Sequence, residues 1–401
     1  NLNAMTMPHL SPERDADLLQ KLQQGFEHCF AKAPEVLSRA PGRLEILGNH
    51  TDYNQGCVLS MAVNRAMHVA AAPITGSTTV CHIVDLANGS RRQFDLLELQ
   101  DPQPGDWCNY IKGLIVELQN RGIQVPPFEA TMLGTVPLSA GMSSSAALEM
   151  GMLLALLKMA GTELDWLEMA KIGQSCENNY VGANTGLLDQ FSSLKGKKNN
   201  LIHSDFRSMQ VKHVPIPAGT IFVVANSMVK HDLSKEYNER RQACETALQA
   251  FGEGKDAPKA LRDVSMKELE MFRHKMPDTA YLRAKHVIGE MERVELACRA
   301  LHENNLHEFG KLMQESQKSS QKYFENSCTE IDALIEIGAE LPGYLGARLS
   351  GGGFGGICLH LVEKDYAQQY INRLTDKYQS KFGIKPDVML CQSDDGATLI
   401  A

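Results

Sequence analysis

The residues with the clearest chemical potential lie between Gly134 and Met150, where the chain reads Gly-Thr-Val-Pro-Leu-Ser-Ala-Gly-Met-Ser-Ser-Ser-Ala-Ala-Leu-Glu-Met. A strand running to Val136 is stopped by Pro137, because proline cannot donate to a ladder. The small residues Ser139, Ala140, Gly141, Ser143, Ser144 and Ser145 follow, and then a leucine-rich helical run from Ala147 to Ala160. A strand, a loop of small side chains and a helix start let a phosphate approach the backbone, where free N–H groups and the helix dipole favour negative charge. Serine hydroxyls can add hydrogen bonds to phosphate oxygen or ligate Mg²⁺. Serine is also an ordinary helix N-cap, so the loop taken alone admits a purely structural reading. It is not a Walker A loop, since Gly-x-x-x-x-Gly-Lys-Ser/Thr is absent.

Three further features could carry chemistry. Arg43 to Asp52 packs an arginine, two carboxylates, an amide and an imidazole into ten residues, and Tyr53-Asn54-Gln55-Gly56 closes the segment in a turn. Such a loop suits hydroxyl-rich ligands, because each carboxylate can accept two O–H bonds; the plain alternative is a solvated loop. Asp189 stands in the small-residue loop Gly182 to Gln190 and could act as a general base or only shape a turn. The run Gly351-Gly352-Gly353-Phe354-Gly355-Gly356 formally matches Gly-x-Gly-x-x-Gly, but a strand and not a helix follows it, which excludes a dinucleotide-binding turn. A glycine run between strands marks backbone lying very close to a packed neighbour or a ligand.

The elements that must position these residues follow from periodicity. A helix capped at Ser11-Pro12-Glu13 is expected to run to about Lys32. Strands are expected over Val36 to Leu47 with an interruption at Pro41-Gly42, and over Val58–Val63, Met67–Ala72, Thr79–Asp85 and Arg92–Leu97, with a hairpin turn at Asn88-Gly89. Helices are expected over 110–119, 147–160 and 164–180, and nearly throughout 264–340; strands are expected at 220–225, 357–362 and 387–391. The chain reads as α+β, in two domains spanning 1–205 and 206–401.

With 401 residues, 43% of them hydrophobic and 22% charged, the chain describes an ordinary globular protein. A net charge of −8 without a basic tract argues for a small-molecule substrate and against nucleic acid. No apolar run reaches membrane-spanning length and no secretory pattern is expected, so no membrane partner is predicted. The ten cysteines form no Cys-x-x-Cys pair, which makes reduced cysteines in a cytoplasmic protein the simplest reading.

Together the motifs resemble the GHMP small-molecule kinases and, within them, the galactokinases, over nearly the whole chain. Gly42 to Asn54 resembles Gly-Arg-Val-Asn-Leu-Ile-Gly-Glu-His-Thr-Asp-Tyr-Asn, Val136 to Leu148 resembles Pro-x-x-x-Gly-Leu-Ser-Ser-Ser-Ala, and Arg348 to Gly356 resembles the third family motif. The segments Asn226 to His231 and Glu236 to Arg241 resemble the family as well. The resemblance implies a two-domain GHMP kinase fold with the active site in a cleft between domains. It implies ATP and Mg²⁺ as cofactors and a sugar 1-phosphate as product, with no partner beyond sugar and nucleotide and a monomer as the expected state. Carried over, Asp189 takes the place of the base and Arg43 that of the transition-state arginine. Ser143 and Glu177 take those of the Mg²⁺ ligands. Pro137, Leu138, Ser139, Ala140, Gly141, Met142, Ser143, Ser144 and Ser145 take those of the ATP phosphate loop. Asn49, His50, Thr51, Asp52 and Tyr237 take those of the sugar site.

The chain departs from the family pattern at five functional positions. Ser139 and Met142 replace a glycine and a leucine, and Thr185 replaces a common cysteine. The family's asparagine and glutamate are exchanged, as Glu45 and Asn49. An uncharged Asn49 leaves galactose as the leading substrate and opens galacturonic acid as an alternative. A non-catalytic sugar sensor is the third reading, but a sensor would be expected to lose its base, metal ligand or serine loop, and all three are present.

Overall fold

The computed structural model describes residues 15–137, 141–229 and 234–400. The expected helix cap at Ser11-Pro12-Glu13 and the loop residues Leu138, Ser139 and Ala140 lie outside the described residues. The chain falls into two compact units that are not continuous in sequence. One, the serine-loop unit, takes the described residues within Pro12–Arg43, Ala62–Lys198 and Asp394–Ala401. The other, the glycine-run unit, takes Leu44–Met61 and the described residues within Asn199–Ser393. A single division at 205/206 therefore differs from the compact units, which exchange the segment Leu44–Met61 and the C-terminal end. Local periodicity marks where elements lie, but not which core they join.

In the serine-loop unit the strands run in the order Thr398–Ile400, Val36–Leu47 as far as Arg43, Cys57–Pro73 from Ala62 on, Phe128–Gly134, Val80–Asp85, Arg91–Asp95. The helix Asp15–Phe30 lays Leu22 and Phe26 on Ala70 and Ala72 of this sheet. The helix Ser144–Met159 is buried on nearly every face from Ala146 to Leu157. A helix apolar all round is the signature of a core helix, so its first turn is held rigidly. Val36–Leu47 is one strand through Pro41-Gly42, without the expected interruption. The Pro41 carbonyl accepts from Ser193 Oγ at 2.7 Å. A Cβ on Gly42 would stand 2.6 Å from the Met142 carbonyl oxygen, so glycine is what lets the strand meet the serine loop. The two strands expected at 58–63 and 67–72 are likewise one, Cys57–Pro73, because polar side chains at Asn64 and Arg65 do not break a backbone ladder.

The glycine-run unit holds an antiparallel sheet in the order Asp387–Cys391, Thr220–Asn226, Ile357–Glu363, Tyr344–Leu349. Helices Thr329–Ala339 and Ala367–Phe382 cover it, placing Leu334, Tyr370 and Leu374 against Val223, Ala347 and Cys358. A second core forms between Ser234–Gln249 and Asp278–His302, with Leu261, Val287 and Phe324 inside. In the same unit Cys57–Ser60 pairs with the strand Asn200–Asp205, which pairs with Gln210–Pro215. Among the described residues no helix is long and apolar enough to cross a membrane.

Candidate active site

In the serine-loop unit, Arg43, Gly141, Ser143 and Asp189 converge. Arg43 Nε donates to Asp189 Oδ1 at 2.7 Å and Arg43 Nη1 to the Gly141 carbonyl at 2.6 Å, while the Arg43 backbone N–H donates to the Met142 carbonyl at 3.0 Å. Asp189 opens the helix Leu188–Lys195, with its side chain about a quarter exposed. Ser143 sits at the N-cap position of Ser144–Met159 in a left-handed conformation with φ of 51°, and makes no capping bond. Its hydroxyl instead donates to Asp189 Oδ2. The simplest reading of a serine at a helix start is thus not how Ser143 is used. The first-turn N–H groups have no side-chain cap and remain suited to an anion. Ser144 and Ser145 are half-buried in that turn, Gly141 is exposed, and Met142 is fully buried beneath the loop.

Two more carboxylates stand behind this cluster. Glu177 is buried at the start of a π-helical turn, Cys176–Val181, that interrupts the helix expected over 164–180. It accepts hydrogen bonds from Thr185 Oγ1 and Ser145. Glu149 is fully buried on the helix Ser144–Met159, accepting from Gln190 Nε2 at 3.2 Å and from the Cys176 thiol. Burial first, and then the charge of Asp189, pushes the Glu177 carboxyl up; burial and then Glu177 push Glu149 well up. Carboxylates crowded together out of water form a hard-oxygen set that a divalent cation would relieve. Ser143 and Glu177 therefore fit Mg²⁺.

In the glycine-run unit the segment Gly48 to Gly56 is tied down from several sides. Glu290 Oε1 accepts from the Gly48 and Asn49 backbone N–H groups at 3.1 and 3.4 Å. Asn49 Nδ2 donates to Glu45 Oε1 at 2.9 Å and to the Gly351 carbonyl at 2.7 Å, and Asn49 Oδ1 accepts from Asn326 Nδ2 at 2.9 Å. Both Asn49 donors are thereby engaged within the protein, and one lone pair on Oδ1 remains. Glu45 pairs with the fully buried Arg348 at 3.2 Å, which also bonds Ser316 Oγ at 3.0 Å. Thr51 Oγ1 lies 2.8 Å from the carbonyls of both Gly48 and Cys57, holding the loop closed. His50 is buried between Tyr53 Oη at 2.9 Å and the Gly352 carbonyl at 3.2 Å, and burial lowers its pKa to about 4, so it is neutral near pH 7. The Tyr237 ring, half-buried, lies 5.1 Å from the His50 ring. Asp52 begins the short 3₁₀ turn Asp52–Asn54 and is half-buried. The glycine run packs against protein: Gly353 has φ of 87°, and a Cβ there would collide with the Asn326 carbonyl.

The structure thus gathers Arg43, Ser143, Glu177 and Asp189 in one unit, and Asn49, His50, Thr51, Asp52 and Tyr237 in the other. Sequence reasoning missed Glu149, Glu290, Asn326 and Phe324. Glu149 had a legible signal, as the one acid in an otherwise apolar helical run. Glu290 bonds Gly48 from 242 residues away, and no local pattern announces that. Phe324 ends a second π-helical turn, Ser320–Phe324, and its ring packs between those of His50 and His286.

Comparison with known proteins gives the family of the chain. A family model described as galactokinase galactose-binding signature matches residues 24–73, one for the GHMP kinases N terminal domain matches 109–197, and one for the GHMP kinases C terminal matches 297–380. A galactokinase from Glaesserella parasuis is 38% identical over 94% of this chain and 98% of its own length; one from Chloroflexus aurantiacus is 33% identical over 95% and 98%. The crystal structure of Lactococcus lactis galactokinase complexed with galactose superposes with a TM-score of 0.90 at 29% identity, covering 95% of this chain and 99% of that one. Methanococcus jannaschii mevalonate kinase, at 17% identity and a TM-score of 0.63, shares the fold.

Proposed function

We propose that this chain, which belongs to the galactokinase family of the GHMP kinases, transfers the γ-phosphoryl group of ATP to the anomeric hydroxyl of galactose. The observation that carries this reading is the Asp189 cluster. A partly exposed carboxylate is oriented on one oxygen by Arg43 and on the other by Ser143, at the uncapped start of a rigid helix. In the reaction the sugar oxygen bonds to phosphorus, the bond from phosphorus to the bridging oxygen of ADP breaks, and the hydroxyl proton passes to a carboxylate oxygen of Asp189. A sugar hydroxyl is a poor nucleophile, so a positioned base contributes on the order of 10²–10⁴ in rate. Arg43, one bond away from both Asp189 and the serine loop, can turn its guanidinium to the charge on the transferring group. The first-turn N–H groups of Ser144–Met159 and the loop from Pro137 to Ser145 hold the nucleotide phosphates.

Ser143 and Glu177 would hold Mg²⁺, which supplies charge neutralisation on the phosphate oxygens. Holding the cation would offset the burial that pushes the Glu177 carboxyl up. In the glycine-run unit the neutral His50, with Asp52 and Tyr237, supplies the sugar-facing groups. Ten free cysteines are in keeping with a cytoplasmic enzyme.

The test is ADP release in a coupled assay with galactose, galacturonate, glucose and mannose. Turnover with galactose well above every other sugar is expected. Faster turnover of galacturonate would move the substrate to the uronic acid, and tight sugar and ATP binding without ADP release would make the chain a sensor.

A further inference from the structure

Cys57, His203 and Glu295 take no part in the chemistry above, yet one ligand atom from each lies within 4.8 Å of the others. The sheet register explains why. In the antiparallel pairing, Leu59 stands opposite His203 and Cys57 opposite Asp205. Residues two apart on a strand share a face, as do directly opposed residues, so Cys57 and His203 project on the same side as diagonal neighbours. The helix Asp278–His302 brings Glu295 to them, with its Oε1 3.1 Å from His203 Nε2. A surface pocket of about 290 Å³, lined by Gly56, Cys57, Arg262, Met291, Glu292 and Glu295, opens onto the group. Arg262, the neighbouring cation, is already matched by Asp205 at 2.5 and 2.9 Å.

We infer that Cys57 Sγ, His203 Nε2 and Glu295 form a three-ligand site for Zn²⁺, distinct from the kinase centre, with the pocket supplying a water as fourth ligand. One thiolate, one imidazole and one carboxylate with an open fourth position is a donor set that zinc accepts and that Mg²⁺, which prefers all-oxygen octahedra, does not. In the metal-free protein the thiol hydrogen-bonds to Glu295. Zinc binding replaces that S–H bond with S–Zn and releases the proton to solvent, while the hydrogen that His203 Nε2 directs at Glu295 moves to Nδ1 so that Nε2 can bind the metal. The site also touches the sugar-signature loop. The Cys57 carbonyl accepts from Thr51 Oγ1, and the same helix that carries Glu295 carries Glu290, which caps Gly48 and Asn49. An occupied site would link that helix to the loop's last residues.

The experiment uses the full chain without nucleotide, in saturating Mg²⁺ so that hard-oxygen sites are filled. Titration with Co²⁺ as a spectroscopic stand-in should give one equivalent with a thiolate-to-cobalt charge-transfer band, displaced by Zn²⁺. Cys57→Ser should lose the band. His203→Gln and Glu295→Gln should each weaken Zn²⁺ binding about tenfold or more; Glu295 is more than half exposed, so its variant keeps the fold. Zn²⁺ should raise the melting temperature of the parent chain and raise it less in Glu295→Gln. The proposal is overturned if the parent chain gives no thiolate band, if the band persists in Cys57→Ser, which would place the metal on another cysteine, or if Zn²⁺ affinity is unchanged in both the His203 and Glu295 variants.

Discussion

Exchanging the residues at 45 and 49 tests the buried network under the sugar-signature loop. In Asn49→Glu the two N–H donors to Glu45 and Gly351 disappear, and a second carboxylate faces the first. At about 4 Å and an effective dielectric near 20, that repulsion is about 4 kcal/mol. Leaving the Gly351 carbonyl without its donor adds about 1 kcal/mol, and a stronger bond from Asn326 returns a similar amount. If one carboxyl takes up a proton instead, raising its pKa by about three units costs a comparable ~4 kcal/mol. Glu45→Asn strands the fully buried Arg348 without its carboxylate, and breaking a buried pair typically costs about 3–5 kcal/mol. The singles therefore sum to about 7–9 kcal/mol. The double variant restores one donor and one carboxylate in contact, so it should lose no more than about 5 kcal/mol, a coupling of at least ~2 kcal/mol. Urea unfolding of all four proteins by circular dichroism gives the cycle. If the double variant loses the sum of the singles to within about 0.5 kcal/mol, the two side chains do not act on each other and the network reading fails.

Three other outcomes follow from the same geometry. Asp189→Asn should cut phosphoryl transfer on the order of 10²–10⁴-fold while ATP still binds, because an amide keeps the shape but takes no proton; parent-like turnover in the coupled assay would remove Asp189 from the role of base. Glu177→Gln should shift the Mg²⁺ dependence of activity to higher concentration; an Mg²⁺ titration overlaying that of the parent would make Glu177 a structural residue. Stability should fall with acidification below pH 6.5. Burial holds His50 at about 4 and both His286 and His360 at about 3, against 6.5 unfolded, so the unfolded chain binds more protons in that window. Their contribution is complete above the unfolded value and is lost as pH drops toward the folded ones, on the order of 1 kcal/mol per histidine between pH 6.5 and 5.5. Equal urea midpoints at pH 7.5 and 5.5 would contradict neutral burial, and His360→Gln should reduce the slope by about a third.

The features legible in the sequence were local. The strand–serine loop–helix segment, the polar loop after Arg43 and the glycine run are each contiguous, and their residue types and order were enough to place the chain among the GHMP kinases. Element positions were legible for the same reason: hydrophobic period and turn residues act over a few positions. The long-range pairs emerge only in the folded chain. Ser143 turns from capping its helix to Asp189, 46 residues on. Asn49 spends its amide on Glu45 and on a carbonyl 302 residues away. Cys57, His203 and Glu295 meet only because a ladder register and a crossing helix bring them together. The π-helical turn at Glu177 and the exchange of segments between the compact units were hidden likewise, since a side chain's partner is set by packing and desolvation in the folded core, which sequence spacing does not encode.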